Sequence, residues 1–274
     1  MRENEENGLP AGMAPEGKIE VPAGGLVLPD SEKGGIVNAW SLSLVGAVVV
    51  LTVLCTLWPD PYLEILRFLP GGLVVTFEVT ILSIVCAIPL GLITGLGRLS
   101  HNRVINLIAS TYVEIIRGIP LLVQIFYIYY ALAKFLQVSG LTSAVIAISF
   151  CYGAYMGEVF RAGIMAVPKG QTEASRSLGF NKVQTMMFVV LPQALRTIVP
   201  PVGNECIAML KDTSLVSVMA MPDLMQFGRS FVFNDTATTE IYTVIALIYL
   251  IITLLLSKAV SILESRLNYY DKRK

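Results

Sequence analysis

Six long apolar runs, separated by polar segments, limit what this chain can become more than any other feature of its sequence. They fall at 39–58, 72–97, 104–133, 142–160, 198–221 and 241–263. The first contains no charged residue and, at about 20 residues, is long enough to cross a hydrocarbon core of roughly 30 Å. Backbone amides left unpaired in lipid are costly, so each run is predicted to be a helix. Pro59 and Pro61 stop the first one. With 54% hydrophobic and only 15% charged residues, the chain has too little charge to cover a soluble core of this size. The predicted class is an all-α integral membrane protein with about six transmembrane helices.

The remaining composition excludes several kinds of chemistry. Twenty basic and twenty acidic residues cancel, so nothing in the net charge points to a nucleic-acid partner. Cys55, Cys86, Cys151 and Cys206 stand singly inside apolar runs and read as small buried hydrophobes. The single histidine, His101, cannot make a metal site alone, and no stretch matches the GxxxxGK[ST] phosphate-binding loop. Residues 1–37 are rich in Gly, Pro and Glu and read as a disordered, mostly acidic tail rather than a signal peptide. Basic residues cluster at alternate ends of the runs. With a cytoplasmic N-terminus, the inner segments hold Arg98, His101 and Arg103, then Arg161, Lys169, Arg176, Lys182 and Arg196, then Lys258, Arg266, Lys272, Arg273 and Lys274. The outer segments hold Arg67, Lys134 and Arg229. This asymmetry predicts both termini inside.

The inner segment 167–196, "VPKGQTEASRSLGFNKVQTMMFVVLPQALR", is longer than a connector requires, and it is patterned. Pro168 can open a helix, Gly179 sits where a left-handed C-terminal residue belongs, and Asn181 can cap a second helix. Val183, Met186, Met187 and Val190 fall at i, i+3, i+4 and i+7, an apolar stripe, and Pro192 is expected to end the helix before the next span. Two short helices at a fixed bend would suit the groove of another protein. The same pattern also fits an amphipathic segment lying on the lipid surface.

Within that segment "EASRSLG" followed by "VVLP" resembles the cytoplasmic EAA loop of ABC-importer permeases, with Ser175 where that family usually has a second Ala. "GGLVVTFEVTILS", "YVEIIRGIPLLVQ", "YGAYMGEVFRAGI", "VPKGQ", "LPQALR", "PPVGNE" and "LKDTSLVSV" resemble the polar-amino-acid branch of those permeases, in the expected order. The resemblance covers roughly 70–267 and implies an ABC type I importer permease fold, preceded by an extra helix at 38–59. It implies that the loop at 163–192 couples the spans to a separate ATPase, with Glu173, Ala174, Ser175, Gly179, Leu191 and Pro192 at the signature positions. Gly179 would make the bend and allow close approach. Glu173 would favour a helix N-terminus or contact the ATPase. The resemblance further implies two ATPase subunits that bind ATP and Mg, a second permease subunit (copy or sister) and an extracytoplasmic amino-acid-binding protein. It places the chain in a bacterial inner membrane, with no cofactor of its own.

Ionisable groups inside spans usually face a bundle interior or water. Glu114 and Arg117, and likewise Glu158 and Arg161, are spaced i, i+3 and are expected to form structural pairs, as are Lys211 and Asp212. Gly118 and Pro120 suggest a kink. Pro200, Pro201 and Gly203 are expected to loosen the fifth span just before Asn204 and Glu205, about 18 Å along a helix from Gln193 and hence near mid-bilayer. Glu205 can receive the cation of a basic amino acid or pair internally. Thr213 and Ser214 are expected to line the outer path. These features lead to an ATP-driven amino acid importer subunit. The alternative is an ion-coupled secondary carrier, for which the sequence offers no internal repeat.

Overall fold

A computed structural model describes residues 38–136, 138–219, 221–232 and 238–268; the acidic tail 1–37 lies outside them. The described residues form α1 (Ala39–Leu57), α2 (Pro59–Phe68), α3 (Pro70–Arg98), α4 (Arg103–Gly118), α5 (Leu121–Leu136), α6 (Gly140–Met165), α7 (Lys169–Ser177) and α8 (Lys182–Thr185). A π-helical turn (Met186–Val190) then leads into α9 (Leu191–Asp212), a 3-10 segment (Thr213–Met219), α10 (Leu224–Val232) and α11 (Thr238–Asn268). The short helices α2 and α10 were not anticipated from sequence. They pack together through Ile65, Leu69 and Leu224 against Ile241, Val244 and Ile245 of α11, closing one end of the bundle.

The axis of the bundle is α6, whose Ala144, Ala147, Ile148, Cys151 and Ala154 are wholly buried. It lies against α3 so closely that a Cβ on Gly91 would come within 2.6 Å of Met156 Cβ, and one on Gly95 within 2.8 Å of the Gly157 carbonyl oxygen. Small residues are what allow helix backbones to meet in lipid, where apolar surface by itself drives no association. The two helices run parallel. Ser149 Oγ donates to the Ser83 carbonyl at 3.2 Å, Gly95 meets Phe160, and Arg98 pairs with Glu158.

Two parallel helices need a connection that returns across the bundle, and α4 with α5 provides it. The pair is bent by 110° at a short break. It starts beside the end of α3, where Asn106 donates to the Arg98 carbonyl, and reaches the opposite end, where Tyr129 Oη lies 3.5 Å from the Met219 carbonyl. The third apolar run is therefore a sharply broken pair rather than one helix, and the described residues hold five helices long and apolar enough to cross a membrane, six if this pair counts as one span. The kink read from Gly118 and Pro120 is a full break. Ile119 is extended (φ −109°, ψ 137°), as the residue before a proline prefers. Buried Gln124 repairs the break: its Nε2 donates to the carbonyls of Ile116 and Ile119, and its Oε1 accepts from Cys151 Sγ at 3.1 Å.

The fifth span also departs from expectation. α9 remains helical through Pro200 and Pro201. Membrane helices tolerate prolines when neighbours re-satisfy the freed groups, and the change of winding comes only at Thr213–Met219. Nor does Pro192 end a helix. The π turn before it, closed by the Leu191 N–H on the Met186 carbonyl, widens the winding where proline would otherwise crowd the preceding turn. α1 packs antiparallel on α11, with Trp40 Nε1 donating to the Leu254 carbonyl at 2.8 Å.

If the α3–α6 contact governs assembly, Gly95→Val should lower stability by about 1–3 kcal/mol through overpacking against backbone. Gly46→Ala, where a Cβ would meet nothing within 4 Å, should be neutral. Thermal unfolding of the detergent-purified chain reads the difference.

Candidate functional site

The segment between α6 and α9 is a rigid knob built from three local devices. First, α7 ends in a full Schellman closure: the Phe180 N–H bonds the Ser175 carbonyl at 3.2 Å and the Gly179 N–H bonds that of Arg176 at 3.0 Å. Gly179 has φ +88°, a left-handed conformation that side chains other than glycine resist. Second, Asn181 and Gln184 form a reciprocal capping box, each side chain accepting the other's backbone N–H at 2.9 Å. Third, Ser175 is buried between α7 and α8, its Oγ 2.8 Å from the Thr172 carbonyl and 3.1 Å from Thr185 Oγ1. A larger side chain at this position would separate the two helices.

The expected apolar stripe is divided. Val183 and Met187 are exposed, but Val190 is buried and Met186 packs on the core, because the π turn shifts the register between them. The exposed apolar surface is instead Leu178, Phe180, Val183, Met187 and Phe188, which crowns the bend. Glu173 lies beyond the first turn of α7, which contains no acid, so a role at the helix N-terminus does not apply. Glu173 and Ala174 are exposed on the knob. A Cβ on Gly179 would meet nothing in this chain. Leu191 and Pro192 follow the π turn at the root of α9.

Near the base of the knob, four charged groups converge on α3, α4 and α6. Glu158 accepts from Arg161 Nη2 at 3.0 Å and pairs with Arg98, and Arg117 Nη1 stands 4.0 Å from its second oxygen. Arg117 also lies over the Tyr155 ring at 5.8 Å from the centroid. The expected Glu114–Arg117 pair does not form. The Glu114 side chain is 78% exposed and reaches only Arg98, at 3.9 Å, while Arg117 turns to the more enclosed Glu158. One carboxylate therefore ties three arginines, and removing it would strand them together, which costs more than the pairs contribute.

Along α9, Asn204 is exposed and Glu205 half-buried. Glu205 lies within electrostatic reach of Arg117 and Asp212. The expected Lys211–Asp212 pair is absent, because neighbours in a helix point about 100° apart. Asp212 Oδ2 accepts instead from Tyr152 Oη at 2.7 Å. Thr213 is fully buried, its hydroxyl donating to the Leu210 carbonyl at 2.7 Å, so it cannot line a path; Ser214 is partly exposed.

Sequence reading also missed Asp223, a fully buried carboxyl at the opposite end from the knob. Its Oδ1 caps α10 by accepting from the Gln226 N–H at 2.9 Å, and its Oδ2 has no partner. Burial raises its pKa to about 6, against the lowering by those backbone bonds. A folded pKa above the unfolded one means that the folded chain binds more protons, so stability should fall as pH rises from about 4 to 6. Asp223→Asn, which keeps a capping oxygen, should flatten that part of the melting-temperature profile.

Comparison with known proteins agrees with this architecture. Residues 87–269 match the family model described as binding-protein-dependent transport system inner membrane component. The chain is 42% identical over 204 residues to the L-cystine transport system permease protein TcyB of Bacillus subtilis (strain 168), covering 74% of this chain and 87% of TcyB. It is 34% identical over 215 residues to the glutamine transport system permease protein GlnP of Escherichia coli (strain K12), covering 77% and 96%. Among solved structures, an amino acid ABC transporter crystallised with histidines is 38% identical, with a TM-score of 0.70 over 74% of this chain and 96% of that one. The inward-facing MetNI methionine ABC transporter is 20% identical with a TM-score of 0.60, a likeness of fold alone. The helix α1 lies before the family match. The chain is a multi-pass membrane protein and belongs to the family of inner-membrane components of binding-protein-dependent transport systems.

Proposed function

We propose that this chain is the membrane-spanning permease of an ATP-driven importer for polar amino acids delivered by an extracytoplasmic binding protein. Two permease subunits, copies or sisters, enclose the path. Two separate ATPase subunits bind ATP and Mg and receive the knob at 163–192, with Glu173, Ala174 and Gly179 on the docking side and Ser175 holding the two short helices together. The observation that carries this reading is the combination of rigidity and exposure in the knob. A Schellman closure, a capping box and a buried serine fix its shape, while Leu178, Phe180 and Val183 are left uncovered. A rigid element transmits a partner's displacement to α6 and α9, whereas a flexible connector would absorb it. The basic residues on this side support an orientation with the knob and both termini in the cytoplasm.

The names of the relatives, permeases for cystine and for glutamine, support amino acids as the cargo class. In this reading the substrate path would run past Asn204, Glu205 and Ser214, and Arg117 lies within electrostatic reach of Glu205. Glu205 is the group that would receive the cation of a basic amino acid. Neither relative is named for such a substrate, so the proposal stops at the polar amino acid class.

Gly179→Val, which forces a branched side chain into a left-handed conformation, should cost roughly 1–3 kcal/mol locally and distort the bend. Combined with Glu173→Ala, it should abolish uptake by cells carrying the full transporter while the chain stays in the membrane. Full uptake by the double variant, with the ATPase still bound, would overturn the coupling role.

A further inference from the structure

Behind the knob, on the side that faces the spans rather than the exposed apolar crown, lies an open cavity of about 520 Å³. Its floor is apolar and belongs to the ends of the membrane helices: Leu99 follows α3, and Ile164 and Met165 close α6. Its rim is basic. His101, Lys169, Arg176 and Lys182 come to it from three separate segments, and no acidic residue lines it.

The charge sorting on α7 is independent of the cavity's shape. Lys169, Thr172 and Arg176 follow one another at i, i+3 and i+7 and face the cavity, while Glu173, the acid of that helix, does not line it. None of the four basic side chains takes part in a salt bridge among the described residues. At the same end of the molecule Arg98 and Arg161 are paired, both held by Glu158. The rim is therefore left without a carboxylate, beside a cluster whose three arginines share one.

We infer that this cavity binds an anionic phospholipid of the leaflet on the knob's side, its phosphate at the Lys169, Arg176 and Lys182 rim and its acyl chains on Leu99, Ile164 and Met165. An amphiphile is called for because an apolar floor and a basic rim line the same cavity. The floor residues Leu99, Ile164 and Met165 lie at the ends of α3 and α6, two helices long and apolar enough to cross a membrane, and Lys169, Arg176 and Lys182 come from the segment that follows α6. Basic pockets at the cytoplasmic ends of membrane helices hold anionic headgroups in this way. A soluble anion would leave the apolar floor wet, and a neutral lipid would leave the rim unmatched. Bound there, the lipid braces α7 and α8 against α3 and α6, so that a push on the knob reaches the spans. The inference rests on the orientation proposed above.

The test uses the whole transporter, purified with its ATPase and exchanged into nanodiscs of phosphatidylcholine with 30% phosphatidylglycerol added, about the excess needed to read a preference. Native mass spectrometry counts the lipids retained by the complex. The expected result is preferential retention of phosphatidylglycerol, reduced at least about tenfold in the variant Lys169→Gln, Arg176→Gln, Lys182→Gln, with Arg103→Gln unaffected. Soluble glycerol phosphate should not displace the lipid. Equal retention by the triple variant would overturn the inference, and displacement by glycerol phosphate would mark an anion site without a lipid. Co-purification of the ATPase is scored on the same samples and is expected at the wild-type ratio. Loss of the ATPase together with the lipid would assign the rim to the ATPase interface and also overturn the inference. Absence of any ATPase from the wild-type complex would instead count against the proposed function, whatever the lipid does.

Discussion

The parallel contact between α3 and α6 determines most of what this chain must do next. It depends on the absence of side chains at Gly91, Gly95 and Gly157, where backbone approaches backbone. Parallel neighbours cannot be joined by a short turn, so the chain has to cross the bundle between them, and it does so through the broken pair α4 and α5. A break inside a membrane exposes carbonyls that lipid cannot satisfy. Gln124 answers that cost by bonding two of them, and its own oxygen is satisfied by Cys151 on α6, the helix that made the crossing necessary. The hinge and the central helix are in this way parts of one hydrogen-bonded unit.

At the knob's end the same three elements meet again through charge. Glu158 of α6 gathers Arg98 from α3 and Arg117 from the residue before the α4 break, along with its own neighbour Arg161. The knob is joined to α6 by the short stretch from Ala166 to Pro168 and to α9 by the continuous π turn. A displacement there acts on a base whose helices are already tied together. Arg117 is the least tightly held of the three arginines, at 4.0 Å from Glu158, and it also lies within electrostatic reach of Glu205 on α9.

The local chemistry of the knob was legible in sequence because its signals are short-range: Gly179, Asn181 and Pro168 each act on residues a few positions away. The spans were legible for the same reason, as runs of apolar residues. What sequence could not give was which way a charged side chain turns. Glu114 and Arg117 have the spacing of a pair, yet the arginine goes to Glu158, which is distant in sequence and better enclosed. The stripe at Val183 to Val190 assumed uniform helical winding, and a π turn of five residues was enough to bury one end of it. Gln124 finds its Cys151 partner only through tertiary packing, and for Asp223 the cap on Gln226 is local while its complete burial is set by packing. Only the proline before Gln124 hinted that carbonyls nearby would need a donor.

The proposed role of this chain is to transmit the action of a separate ATPase to a path for amino acids. The most direct measurement is ATP hydrolysis in liposomes containing the chain, its ATPase and its binding protein, with each amino acid added in turn. Hydrolysis is expected to rise with one group of polar amino acids and to stay at its basal rate with the rest. Unchanged hydrolysis with every amino acid, in a preparation where the ATPase is bound, would contradict it.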